Sequence, residues 1–290
     1  MIAQQLVNGV MLGAIYMLVA VAFTLAIGIL NFLNFSIPGL FMVGGMVTWA
    51  LLAQGWHWSI AVGAALLAAA FVALLVERLS YRPSRDADPE VPLASALGFL
   101  ILLENLFVIR YGSDQLSFPA LLPDFNWRLG GLVIGGAQLV SLAVAVALVL
   151  WLSVLLRRTN TGRRIRAVAE SRETAVILGV DVGRLVPQVF VSSAVFTAAG
   201  GVLFALNYLQ VSATMGEGVG FKGVAAMIIG GMGSIWGAIL GGLLIGLAEV
   251  LTIGFLGADL VDIAVYGLLL ALLILRPEGL LGRPAAREKL

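Results

Sequence analysis

Between Arg157 and Arg184 the chain reads RRTNTGRRIRAVAESRETAVILGVDVGR, a polar island in a sequence that is 61% hydrophobic. One apolar run ends where it begins (Leu132–Leu156) and another starts where it stops (Leu185–Leu206). It holds Arg157, Arg158, Arg163, Arg164, Arg166, Arg172 and Arg184, seven of the 17 Lys and Arg residues. A basic loop between two membrane spans belongs on the cytoplasmic side. Thr161-Gly162 marks a turn and helix start, and Ile165, Val168, Ala169, Ala175 and Val176 recur at helical spacing. Ser171 can cap a second short helix, with Glu173 in its first turn and Gly179 just past its end. The loop therefore reads as one or two short amphipathic helices. Such a helix can dock into a groove on a soluble partner; it can equally be a charged topological anchor.

Composition points the same way. Only 11% of the 290 residues are charged, and several apolar runs reach 18 residues or more. That combination defines a polytopic α-helical membrane protein. The net charge of +1 gives no pointer to nucleic acid. The absence of cysteine excludes disulfides, thiolate metal sites and cysteine nucleophiles. The opening MIAQQLVNGVML lacks a basic region and a cleavage site, so the first span is expected to be retained. Glycine stands at 35 residues, about 12%, against about 7% on average, which suits closely packed helices.

Outward from the basic loop, the expected spans are Leu6–Leu30, Phe41–Leu52, Ile60–Val76, Leu93–Ile109, Leu132–Leu156, Leu185–Leu206, Ala238–Leu251 and Ile263–Leu275. A short helix, Gly223–Ile229, precedes the seventh of these. Asn31, Asn34 and Ser36 follow span one and need a non-lipid environment, and Pro38-Gly39 is expected to interrupt the helix. ERLSYRPSRDADPEVP (77–92) reads as a polar loop, and Tyr111–Arg128 and Asn207–Gly220 as external segments. Fourteen Lys and Arg residues fall in the loop after span three, the organising loop and the tail; Arg110, Arg128 and Lys222 are the rest. By the positive-inside rule the N-terminus is then outside and the C-terminus cytoplasmic. That parity needs nine crossings, Gly223–Ile229 included, although about 10 Å of helix cannot span the bilayer unaided. The fold class is all-α: one domain over 1–290, with about eight to nine transmembrane helices and short broken helices.

Chemistry-bearing motifs are few. His57, the sole histidine, has no Cys or carboxylate beside it and reads as an interfacial ring, so no metal site is expected. No Walker A motif is present: Gly216–Gly223 has Phe before its lysine and Gly after it. Any ATP hydrolysis must come from another chain. The intramembrane acids Glu104 and Glu249 admit an ion-coupled secondary transporter or channel, or a structural hydrogen-bonding role. Gly230, Gly231, Gly233 and Ser234 lie in GGMGSIWG, which cannot continue a helix cheaply. Breaks of this kind line cavities or pack inside protein. With Asn31, Asn34 and Ser36 they form the expected translocation path, meeting at the centre of the bundle.

QQLVNGVMLGAIYMLVAVAFTLAIGILNFLNFSIPG (Gln4–Gly39), the loop 157–184, GGMGSIWGAILGGLLIGLAEVL (Gly230–Leu251) and ILRPEGLLG (Ile274–Gly282) together resemble the branched-chain amino acid ABC transporter permease family, in particular its LivH-like subunit. One departure is Asn34-Phe35-Ser36-Ile37-Pro38-Gly39, where family members commonly carry an Asn-Phe-Ala-His/Gln-Gly-like signature. The resemblance implies a non-enzymatic permease for branched-chain or related amino acids in the bacterial inner membrane. It implies a second permease (LivM-like, or a second copy), two ATP-binding subunits and a periplasmic binding protein. ATP and Mg would be used by the ATPases, with no cofactor on this chain. The loop 157–185 would be the coupling element. Arg166, Glu170, Arg172 and Glu173 would set register on the ATPase, Val176, Ile177 and Leu178 would fill its groove, and Ser171 and Gly179 would cap the docking helix.

Overall fold

A computed structural model of the chain describes residues 2–282 except 31, 86, 89, 122–125 and 130–131. The chain begins with α1 (Ile2–Leu30) and α2 (Ser36–Ala53). Next, α3 (Trp58–Val76) continues through a π turn (Glu77–Tyr81) into the single turn α4 (Arg82–Ser84). After α5 (Glu90–Tyr111) come β1 (Leu116–Ser117) and a hairpin of β2 (Asn126–Leu129) and β3 (Leu132–Gly135). α6 (Gly136–Arg158) leads to the short helices α7 (Asn160–Glu170) and α8 (Arg172–Ile177). α9 (Val182–Tyr208) and β4 (Gln210–Val211) follow, β4 pairing antiparallel with β1. α10 (Met215–Gly230), α11 (Ile235–Phe255), a 3-10 turn (Ala258–Leu260) and α12 (Val261–Leu275) complete it. Among the described residues, eight helical segments are long and apolar enough to cross a membrane.

The core is α1, which is buried along most of its length and therefore apolar all round. It runs antiparallel to α11, and glycine sets how closely the two approach. A Cβ on Gly13 would lie 2.8 Å from the Leu243 Cα, and one on Gly246 would collide with the Gly13 backbone. Removing side chains at the crossing lets two backbones touch, which is how lipid-embedded helices gain packing energy. α2 and α9 pack on the other side, where Gly44 abuts the Ala198 backbone and Phe41 meets Phe204 edge-on at 5.7 Å.

The ends of the bundle follow from these contacts. α9 leaves the α7–α8 end and runs 27 residues, about 40 Å, to β4. The β1–β4 ribbon is thus at the opposite end. The N-terminus is at the ribbon end too, since Gln4 bonds both the amide and the carbonyl of Val133, each at 2.8 Å. α11 starts at the α7–α8 end, where the Arg157 guanidinium lies 5.9 Å from the centre of the Trp236 ring. The tail returns there as well: the amides of Leu280 and Leu281 donate to the carbonyls of Ile229 and Gly230, both at 2.9 Å.

Several expectations need correction. The short helix is α10, 16 residues rather than Gly223–Ile229. It begins directly after the ribbon, so the expected external segment 207–220 is largely helical, and about 24 Å of helix joins the two ends of the bundle. Its extra turns form because Gly216 and Gly220 let it lie against Pro38. Pro38 and Gly39 do not interrupt a helix; they sit in the first turn of α2, where a proline removes no intrahelical hydrogen bond. The polar stretch after span three is helical as far as Ser84. Glu77, Ser80 and Tyr81 are buried there, and the Tyr81 ring stacks on Phe32 at 5.7 Å. Leu132–Gly135 is a strand, not the start of span five. The tail from residue 283 onward, with its three basic residues, lies outside the described residues.

Candidate functional site

At the loop end, α7 starts at Asn160, one residue before Thr161-Gly162. The Thr159 side chain accepts from the Gly162 amide, and Gly162 packs directly on the Leu155–Leu156 backbone. Arg166 and Glu170 are exposed on α7, while Val168 is buried. Ser171 caps α8 as the spacing implied, its Oγ accepting from the Thr174 amide at 3.3 Å. Glu173 lies exposed in the first turn, Arg172 is half-buried and Ala175 points inward. The helix closes in a Schellman arrangement: Val180 N–H donates to the Ala175 carbonyl and Gly179 N–H to that of Val176, both at 2.9 Å. Gly179 has φ +82°, a backbone region that costs any other L-residue. The chemistry of this two-turn element lies outside it. Val176, Ile177 and Leu178 are 55%, 84% and 75% exposed, an apolar patch at the end of a membrane bundle.

The expected path residues go to different neighbours. Asn31 lies outside the described residues. Asn34 and Ser36 are buried together, the Asn34 Oδ1 accepting from the Ser36 amide (3.1 Å) and Oγ (2.7 Å), so the start of α2 is capped internally. Next to them, Phe35 and Pro38 touch α10 at Phe221 and at Gly216 and Gly220. The glycine break is confirmed as a turn, with Gly231 at φ +105° and Gly233 at φ +82°. Gly230 abuts the Gly237 backbone, Gly231 abuts Gly282 of the tail, and Ser234 caps α11 through the Gly237 amide. The tail holds this turn at the loop end of the bundle, away from the centre where the meeting of the two stretches was expected.

A polar site that sequence reasoning missed lies at the ribbon end. A cavity of about 310 Å³ opens beside β1 and β4, with Lys222, Glu249, Tyr16 and Tyr208 among its lining residues. The Lys222 Nζ is 2.9 Å from Glu249 Oε1, and both side chains are only 13% exposed. The Tyr16 hydroxyl donates to Glu249 Oε2 at 2.6 Å. Asp262 Oδ1, on α12, is 4.0 Å from the same Nζ. Four helices thus converge on one ion pair. A half-turn signal existed in the sequence, an acid and a lysine each alone in an apolar run, but nothing in their spacing pairs residues 27 positions apart. The other intramembrane acid, Glu104, has one buried carboxylate oxygen without a hydrogen-bond partner, and its neighbour Asn105 donates instead to the Ile101 carbonyl.

A bundle of membrane-length helices with capped amphipathic helices at one end and a charged cavity at the other defines a multi-pass membrane permease. The chain belongs to the family described as branched-chain amino acid transport system / permease component, which matches residues 5–275. It is 33% identical over 299 residues to the high-affinity branched-chain amino acid transport system permease protein LivH of Escherichia coli K12, covering 98% of this chain and 97% of that one. The corresponding protein BraD of Pseudomonas aeruginosa is also 33% identical over the same shares. Among solved structures, PsaBC from Streptococcus pneumoniae in complex with Fab aligns with a TM-score of 0.49 at 15% identity, over 95% of this chain and 92% of that one.

Proposed function

We propose that the chain is the LivH-like permease subunit of an ATP-binding-cassette importer that moves branched-chain or related amino acids across the bacterial inner membrane. The observation that carries this reading is the exposed Val176–Leu178 patch on a helix capped at both ends. Exposed apolar side chains at the basic-loop end of the bundle suit a groove on a soluble subunit. In this reading Arg166 and Glu170 on α7 and Arg172 and Glu173 on α8 set the register of the patch, and ATP hydrolysis happens in two partner subunits, not here. A second permease, LivM-like or a second copy, completes the pore, and a periplasmic binding protein delivers substrate to the ribbon end. The N-terminus is then outside, and the α7–α8 loop and C-terminal tail cytoplasmic. The route follows α10, from the cavity at Lys222, past the Asn34–Ser36 corner, to the Gly230–Ser234 turn.

The alternative, an ion-coupled carrier using Glu104 or Glu249, finds no support in the family match, whose relatives are named as branched-chain amino acid transport permeases. The test is uptake of L-leucine into proteoliposomes holding the full complex. Uptake that needs both ATP and the binding protein supports the importer. Uptake by this chain on a sodium or proton gradient, with no ATPase present, would overturn it.

A further inference from the structure

We infer that the cavity beside Lys222 and Glu249 is a substrate subsite within the permease itself, binding the zwitterionic head group of an aliphatic α-amino acid. This rests on the importer reading and adds to it a point of contact between substrate and this chain.

Volume comes first. About 310 Å³ is at the lower bound of small-ligand pockets, which run from about 300 to 1,000 Å³. The lining has two chemistries. Lys222 and Glu249 offer one positive and one negative charge 2.9 Å apart, and Phe204, Val211, Met215 and Val219 offer an apolar wall. An ion pair largely removed from water is costly to keep in a membrane bundle, so its retention points to a task. The pair also dictates what it can accept. A cation that engages Glu249 leaves Lys222 with no buried partner, only the exposed Asp262 carboxylate at 4.0 Å, and an anion on Lys222 strips Glu249 of its cation. Either leaves a buried charge without a buried counter-charge. A zwitterion exchanges one neutral pairing for two: its carboxylate takes the Lys222 ammonium and its own ammonium takes the Glu249 carboxylate, with no net change in buried charge. The Tyr16 hydroxyl, 2.6 Å from Glu249 Oε2, stays as the bond that orients the acid through the exchange. The side chain of the amino acid then faces the apolar wall.

The natural absence of cysteine supplies the assay. Ser212, half-buried in the cavity lining, is replaced (Ser212→Cys) in the full transporter complex in nanodiscs without nucleotide or binding protein. Labelling of that position by a small thiol reagent is followed by mass spectrometry. L-leucine is expected to slow it, about tenfold at ten times the half-protecting concentration, by mass action. Its singly charged relatives, 3-methylbutylamine and 4-methylpentanoate, are expected to leave the rate unchanged. In the Lys222→Met background leucine protection should vanish, and the thermal midpoint of the complex should fall because Glu249 loses its cation. If that variant does not fold, the three-ligand comparison on intact Lys222 decides alone. Absence of protection by leucine, equal protection by either analogue, or full protection in a folded Lys222→Met variant overturns the subsite. Amino-acid-stimulated ATP hydrolysis with the binding protein is measured on the same preparation. Stimulation without protection removes the subsite and leaves the importer standing, whereas loss of stimulation for every amino acid removes the importer.

Discussion

Replacing Ile177 by serine separates the docking patch from the fold that presents it. Ile177 is the last residue of α8 and is 84% exposed, so its side chain contributes almost nothing within this subunit. Thermal stability of the permease alone should change by no more than about 0.5 kcal/mol, as for surface substitutions generally. Burying a whole isoleucine side chain stabilises by about 1.5–3 kcal/mol. Nearly all of that area is uncovered in the free subunit, so a groove that accepts the residue can gain about 2 kcal/mol from it. The serine variant should then bind its ATPase subunits about 30-fold more weakly, since each 1.4 kcal/mol is about a factor of ten. The assay is titration of purified ATPase onto nanodisc-held permease, read by interferometry, with a parallel melting curve. Leu178→Ser, from a residue 75% exposed, should show a slightly smaller loss. Two variants that melt normally and bind ATPase with unchanged affinity would refute the docking reasoning, because the patch would then be solvated in the working complex.

Gly179→Val should lower substrate-stimulated ATP hydrolysis while permease insertion persists, because a side chain at φ +82° costs about 1–2 kcal/mol and unwinds the end of α8; unchanged stimulation would count against α8 as the coupling element. Gly246→Leu should lower the detergent melting temperature, overpacking the α1–α11 crossing by about 1–3 kcal/mol or more; the melting curve checks it, and a neutral result would mean the two helices can separate freely. Single cysteines at Arg163 and Ser234 should label from the cytoplasmic side and one at Glu217 from the periplasmic side, as the exposed ends of a bundle oriented by its basic loops; labelling of Arg163 from outside would reverse the orientation.

The sequence by itself determined what is local or compositional in this protein. Long apolar runs with so few charges read as membrane helices, so the all-α class and the eight long helices were legible from hydropathy, while whether the chain crosses eight or nine times was not. Caps are equally local: Ser171 three residues before its amide partner and Gly179 past the helix end specify α8 wherever it is placed. Tertiary structure decided whatever depends on which helices are neighbours. The bounds of α10 are not written in its sequence, because a stretch with glycines at 216, 218, 220 and 223 has poor intrinsic helicity, and those at 216, 220 and 223 become assets only against Pro38 and Val19. The Gly230–Ser234 turn was visible as a break, but its place at the bundle end follows from a tail that returns 50 residues later to bond Ile229 and Gly230. Lys222 and Glu249 look like two separate intramembrane charges in the chain. Their pairing needs α10 and α11 folded back on each other beside Tyr16, and in a membrane bundle that partnership is what makes either charge tolerable.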